Sequence, residues 1–357
     1  MRIHPAVRVF LVAIGIGVVL ALRLLVPADW DPSVFAAFGE DAVEINDYAE
    51  SKLGRTILTR NGLGHDGKFF FVQANDPWIV DPEENAAVLD RPVYRSQRML
   101  YPMFAGGLGF FAPEVVLWAL VLINVLMLGA GSWAVAAIAR KHGISEWFGL
   151  AFALNIGLFS ELFLDGAGIT AFALAALGAW ALEDERLPLA ALVLTGAALT
   201  REVMAIFLAF IVFMWFIRKR TIVWKLWVPG ALAVVGWAVY VRLRIDLPTG
   251  ADQVQELTAI PFSGLVEALT SGRADVADYL VIGVFVALIV LVPVRAWKSD
   301  VYMTWGAVGF AFLAPFLTLQ VWQKSFDISR ALAPLVTVFV IETFLARKRK
   351  SLKSSSF

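Results

Sequence analysis

The residue pattern implies an all-α fold: a polytopic membrane helix bundle of about ten spans with a large first extracytoplasmic loop. Three observations lead there. The 357 residues are 59% hydrophobic, with a mean hydropathy of +0.74, whereas soluble domains are nearer half apolar. The apolar residues gather into long runs such as Val7 to Val26 and Val115 to Ala139, and about 20 consecutive apolar residues span the hydrocarbon core as a helix. Basic residues, finally, recur in short loops at alternate run ends.

Taken in chain order, the expected spans are 7–26, 114–138, 147–164, 166–182, 188–199, 202–217, 224–241, 279–294, 301–319 and 330–346. The first follows Arg2 and Arg8 and ends in Arg23, Pro27 and Asp29 rather than in a small-residue cleavage site, so it reads as a retained signal anchor. Segments 188–199 and 202–217 are shorter than a full crossing. They form either a helical hairpin meeting at Thr200-Arg201-Glu202 or one broken span. Arg2 and Arg8, Arg140-Lys141, Arg218-Lys219-Arg220 with Lys225, Arg295 with Lys298, and Arg347 to Lys350 all fall on one side. The positive-inside rule makes that side cytoplasmic. Both termini then lie inside, as an even span count requires, in the cell's inner (plasma) membrane. Residues 1–346 form a single transmembrane domain that includes the external loop 27–113; a second external loop covers 242–278. Residues 347–357 are a basic cytoplasmic tail, and no internal repeat is visible.

A formal net charge of zero gives no case for nucleic acid. The absence of Cys excludes a disulfide framework and a thiolate metal site. Within loop 27–113, Phe35, Phe38, Ala42, Ile45, Ala49 and Leu53 recur at helical spacing with acids between them. That pattern suits an interfacial helix in the headgroup plane, or one packed on top of the bundle.

The chemistry-bearing stretch lies between Gly62 and Pro102: Gly64-His65-Asp66-Gly67, Phe69 to Phe71, Asp76-Pro77, Tyr94-Arg95-Ser96-Gln97-Arg98 and Tyr101-Pro102. Glycines on either side let the backbone turn and approach a ligand closely. A carboxylate at Asp66 suits a general base, or else an ordinary Asp-Gly turn. Arg95 and Arg98, three apart on a helix, share a face. Guanidinium groups bind phosphate oxygens in pairs, although snorkelling or a loop salt bridge is the alternative. Tyr94 and Gln97 add hydrogen-bonding groups to that turn. Thr200-Arg201-Glu202 interrupts an apolar stretch, where charge costs about 2.5–3.5 kcal/mol per residue on insertion. It is either an Arg–Glu pair closing a hairpin or an Arg201 phosphate contact oriented by Glu202.

Weaker candidates are Arg242 and Arg244, Asp327-Ile328-Ser329-Arg330, and Glu161 with Asp165. Asp29 and Asp31 rival Asp66 as base. His4 and His142 sit on the cytoplasmic side, leaving His65 outside. No cofactor is evident, with a divalent cation on Asp or Glu left open. No P-loop, dinucleotide fingerprint or Gly-x-Ser-x-Gly elbow is present. Phe69 to Phe71, Trp78 and Tyr101 are available to line sugar or prenyl contacts, or to anchor at the interface.

The Gly-x-Asp-Gly-x-Phe-aromatic stretch, the Tyr-Arg-x-Gln-Arg and Tyr-Pro before the second span, Leu-Thr-Arg-Glu at 199–202 and the Ser-Arg start of the final span resemble the GT-C superfamily of integral-membrane glycosyltransferases, mannosyltransferase-like bacterial members above all. The resemblance implies a sugar donor carried on a polyprenyl phosphate, an active site at the external membrane surface, inversion at the anomeric carbon, and Asp66 as base. Several GT-C families place the catalytic acid just after the first span, which points instead to Asp29 or Asp31. Asp66 is thus the candidate catalytic residue, with His65, Tyr94, Arg95, Gln97, Arg98, Arg201, Glu202 and Arg330 binding substrate. The partners are the polyprenyl-phosphate-linked sugar donor, a glycan, lipid or protein acceptor of the envelope, and membrane lipids. The rival functions are a transporter or flippase for a lipid-linked or small polar substrate, and a non-catalytic envelope-assembly subunit. Transporters tend to carry repeats and midplane charges, and here the charges gather at one face.

Overall fold

A computed structural model of the chain describes residues 5–246 and 256–354. Arg2, His4, the middle of the 242–278 loop and the last residues of the basic tail lie outside these. Helix α1 (Pro5–Leu25) leads into six short helices: α2 (Ser33–Ala36), α3 (Val43–Leu53), α4 (Gly67–Asn75), α5 (Pro82–Val88), α6 (Pro92–Ser96) and α7 (Leu100–Leu108). Two-residue strands β1 (Phe38–Gly39) and β2 (Thr59–Arg60) pair in parallel among them. The long α8 (Pro113–Lys141) follows, then α9 (Leu150–Ala153), α10 (Ile156–Leu162), α11 (Gly168–Glu183), α12 (Leu187–Thr200), α13 (Met204–Lys219) and α14 (Trp224–Arg244). The chain closes with α15 (Ser263–Thr270), α16 (Val276–Ala296), α17 (Tyr302–Leu313), α18 (Leu319–Trp322), α19 (Ser325–Ala331) and α20 (Ala333–Ser354). Helices α1, α8, α14 and α16 are long and apolar enough to cross a membrane. The pair α19–α20 makes a fifth if its two halves are one span.

Small residues let these helices meet. Ala6 and Val9 cluster with Ala136, Gly129 lies under Phe10 and Ile14, and Gly17 faces Val125 and Leu128. The pairing runs backwards along α8, so the two helices are antiparallel. Where lipid replaces water, such close backbone approach is the main source of helix association. Helix α8 starts on Pro113 and Glu114 and ends on Arg140 and Lys141, each charge complementing its end of the helix dipole.

The turn between α12 and α13 resolves one open alternative. The Tyr302 N–H donates to the Glu183 carboxylate at the end of α11 (3.0 Å), and Trp215, near the end of α13, stacks on Tyr302. Helix α13 therefore returns to the level where α12 began: the two form a hairpin, not one broken span. At that same level Lys141 meets Asp184 (3.5 Å), Arg218 meets Asp300 (2.6 Å), Lys348 reaches the His142 carbonyl and Arg349 the Lys298 carbonyl. One end of the bundle is thus basic, and the Asp66 loop is at the other.

Three expected segments differ. The stretch 147–164 is a 3-10 turn followed by α9 and α10, because buried Asn155 breaks the helix. Its side chain caps Gly157 N–H (3.0 Å) and donates to Ala333 O (2.8 Å) and Thr337 Oγ1 (3.1 Å). The final segment, 330–346, is bent by 67° between α19 and α20. Pro334 has no N–H for the carbonyl four residues back and its ring crowds that carbonyl. The helical pattern expected from Phe35 becomes α2, a left-handed Ala37, β1 and only then α3. Its apolar residues are buried with Phe70, Phe71, Tyr101 and the first turns of α8, so this segment packs on the bundle. Each such aromatic ring contributes about 1.5–3 kcal/mol by leaving water. Phe70, Phe71 and Tyr101 are therefore core, and Trp78 packs edge-on against Trp237.

Candidate functional site

The Asp66 turn is clamped by backbone. Gly64 has φ +72 and lies so close to Ala37 and Phe38 that a Cβ would overlap the Ala37 carbonyl; Gly67 sits in the same way against Leu164 and Ala36. His65 N–H closes the turn on Ala37 O (3.0 Å). An Asp preceding a helix ordinarily caps it with its carboxylate. Asp66 precedes α4 and makes no such cap. Its Oδ1 accepts from Arg95 Nη1 at 2.7 Å, and its Oδ2 from Arg330 Nη2 at 3.3 Å. The carboxylate serves guanidinium groups, not the backbone.

Helix α6 starts on Pro92 and is tied to α4 by Gln73, which donates to Arg95 O (2.6 Å), and to α14 by Trp237, which donates to Ser96 O (2.7 Å). So anchored, Arg95 also forks onto Asp90 (2.8 and 3.0 Å) and lies over the Phe69 ring. Arg98 falls beyond the end of α6 rather than on it. It forks onto Glu202 (2.9 and 2.8 Å) and also contacts the Tyr94 hydroxyl. The Arg201–Glu202 pair does not form: Glu202 binds Arg98, while Arg201 turns to Glu161 (3.2 Å). Two neighbouring charges on one turn point into different ion pairs.

Glu161 is the hub. It is 1% exposed and accepts from Gly168 N–H (2.9 Å), Arg201 Nη1 (3.2 Å) and Arg330 Nε (2.9 Å). Glycines at 166 and 168 leave room for its carboxylate, and Gly157 brings α10 against the Ser329 backbone so that Glu161 and Arg330 meet. Asp66, Arg330, Glu161 and Arg201 form one chain of alternating charge. Burial works to raise the Asp66 carboxyl, but Arg95, Arg330 and Arg98 hold it well below the usual carboxylate range. Asp165, at the next turn, is the opposite case. It is fully buried, neither carboxylate oxygen has a partner, and burial pushes it well above the ordinary range.

A cavity of about 220 Å³ is lined by His65, Asp66, Arg95, Arg98, Arg201 and Arg330, with Glu256, Gln320 and Asp327. A second, of about 250 Å³, shares Arg98, Arg201 and Glu256 and adds Tyr94, Gln97, Glu202, Arg242 and an apolar wall. Asp66 and the eight residues expected to bind substrate thus line these two adjoining spaces. Arg201 lines both spaces, and its buried Nε has no hydrogen-bond partner. Comparison with family models, curated proteins and solved structures returned no match.

Other expected residues lie elsewhere. Asp31 accepts from Arg55 (2.9 and 3.0 Å) and from Ser33 N–H, Arg244 donates to the Ile79 and Val80 carbonyls, and Asp76 accepts from Val80 N–H, Asp81 N–H and Asn85. Asp29 is a positive-φ turn residue (φ 49) and lines neither cavity. His142 pairs with Glu183 at the basic end. Glu256, Gln320 and Asp90 were missed, since nothing local marks a single polar residue in a loop. Among the described residues, no three His, Asp or Glu side chains gather as a metal site.

Proposed function

We propose that the chain is an integral-membrane glycosyltransferase that moves a sugar from a polyprenyl-phosphate donor to an acceptor hydroxyl at the external membrane surface. The carrying observation is the cavity in which the Asp66 carboxylate stands among four arginines, Arg95, Arg98, Arg201 and Arg330. The acceptor oxygen bonds to the anomeric carbon and gives its proton to Asp66. The bond from that carbon to the phosphate oxygen breaks, and its electron pair leaves with the lipid phosphate. Preorganised guanidinium donors stabilise the charge that develops there. Arg330 makes the longer of the two contacts to Asp66; a phosphate that engages it frees Oδ2 to take the proton.

The lipid part of such a donor suits an apolar groove of about 550 Å³ between α13 and α14, whose lining includes Ala198 and Ala205 on either side of the Arg201 turn. A headgroup at Arg201 and a tail along this groove follow the same turn. The chain crosses ten times, with α9–α10 and α19–α20 as broken crossings. The basic end faces the cytoplasm by the positive-inside rule, which leaves Asp66 outside.

The test uses purified protein, labelled polyprenyl-phosphate mannose and a crude envelope acceptor, with an Asp66→Asn variant in parallel. Transfer by the wild type and its loss in a well-folded variant support the reading. Full activity in Asp66→Asn, or movement of label across liposomes without product, removes it.

A further inference from the structure

We infer that the cavity on the far side of Asp66 receives the acceptor, and that it takes an uncharged, hydroxyl-rich molecule such as a glycan rather than an anionic one. This rests on the transferase reading. The cavity measures about 420 Å³ and shares His65, Asp66 and Arg95 with the arginine-lined space. Those three residues border both chambers where they meet, and the candidate base is one of them. Displacement with inversion needs the acceptor oxygen to reach the anomeric carbon on the face opposite the phosphate, with a base on the acceptor hydroxyl; a carboxylate that borders both chambers can take that proton while the phosphate stays among the arginines.

The two chambers differ in charge. Four arginines face three carboxylates on the donor side, whereas Asp41, Glu44, Asp66 and Asp90 face only Lys68 and Arg95 on this side. Lys68 is buried at 4% exposure, with its ammonium on the Leu63 carbonyl, so it is not a free anchor for an anion. Asp41 and Glu44 are exposed at the rim with Leu63 and Ala87, open to the aqueous side. Like charge across a rim repels an anionic partner and sets specificity. Phosphate is thereby directed to the arginines, while hydroxyl groups find carboxylate acceptors here.

Ala87→Trp fills the chamber from its exposed rim and leaves alone Arg98, Arg201 and Arg330, which line only the other chamber. With octyl glucoside as acceptor probe, KM should rise about tenfold while polyprenyl phosphate binds as tightly as in the wild type. In a second variant, Asp41→Lys with Glu44→Lys, preference for octyl glucuronide over octyl glucoside should rise about tenfold. Unchanged acceptor KM and unchanged charge preference would overturn the inference, as would loss of polyprenyl-phosphate binding in Ala87→Trp. A wild-type protein that binds polyprenyl phosphate but neither transfers nor hydrolyses the sugar removes the transferase reading itself, and this inference with it.

Discussion

The Arg330 guanidinium donates to the Asp66 carboxylate at 3.3 Å across 264 residues of sequence. The first loop and the final bent helix are therefore locked together at one carboxylate. Asp66→Asn keeps the shape but removes the charge and the basic oxygen. Transfer should fall by about 100- to 10,000-fold, the range of general-base catalysis, as measured by label incorporated per mole of folded protein. Retained activity would move the base elsewhere.

Arg201 has a buried Nε without a partner. Arg201→Lys keeps the charge and loses the fork, so polyprenyl-phosphate affinity should weaken by about tenfold, or about 1.4 kcal/mol. A competition assay with the lipid phosphate reads this directly. Equal affinity in the variant would remove Arg201 from the phosphate site.

Gly67→Ala places a Cβ on the Leu164 carbonyl and the Ala36 backbone, whereas Gly107→Ala meets nothing within 4 Å. The first should destabilise by about 1–3 kcal/mol through overpacking; the second, in an exposed helix, should stabilise by up to about 1 kcal/mol. Thermal unfolding in detergent compares them. Equal shifts would contradict the close approach.

Asp165 gives a pH signature. Its folded carboxyl is raised above the ordinary value of 3.8, so its contribution is fully favourable below that pH and is lost as pH rises toward the folded value. Asp165→Asn removes the penalty and also suits the positive φ of 44 there. At pH 7 the variant should melt higher than the wild type, and the gap should close as pH falls below about 4. A gap independent of pH would show that Asp165 is not held neutral.

Much of the site was legible because its charged residues fall within or beside apolar runs. Asp66, Arg95, Arg98, Arg201 and Arg330 each interrupt or flank a greasy run, and all line the same pair of cavities. Their partners were not legible. Arg201 and Glu202 are adjacent and were read together, yet each is bound by a residue more than 39 positions away. Glu161 looked like a flanking acid, and only the glycines at 157, 166 and 168 make it the hub. Asn155 and Pro334 broke segments that composition alone joins.

The sequence by itself determined the long apolar helices, the end of the bundle at which basic residues gather and the residues that burial would not tolerate without a reason. These depend on composition and on local order along the chain. Tertiary structure decided which acid meets which arginine, which turn is a hairpin, and that Asp66 borders two chambers of different charge. Such pairings depend on distances through space, set by where small residues let distant helices touch, and no window of neighbouring residues contains them.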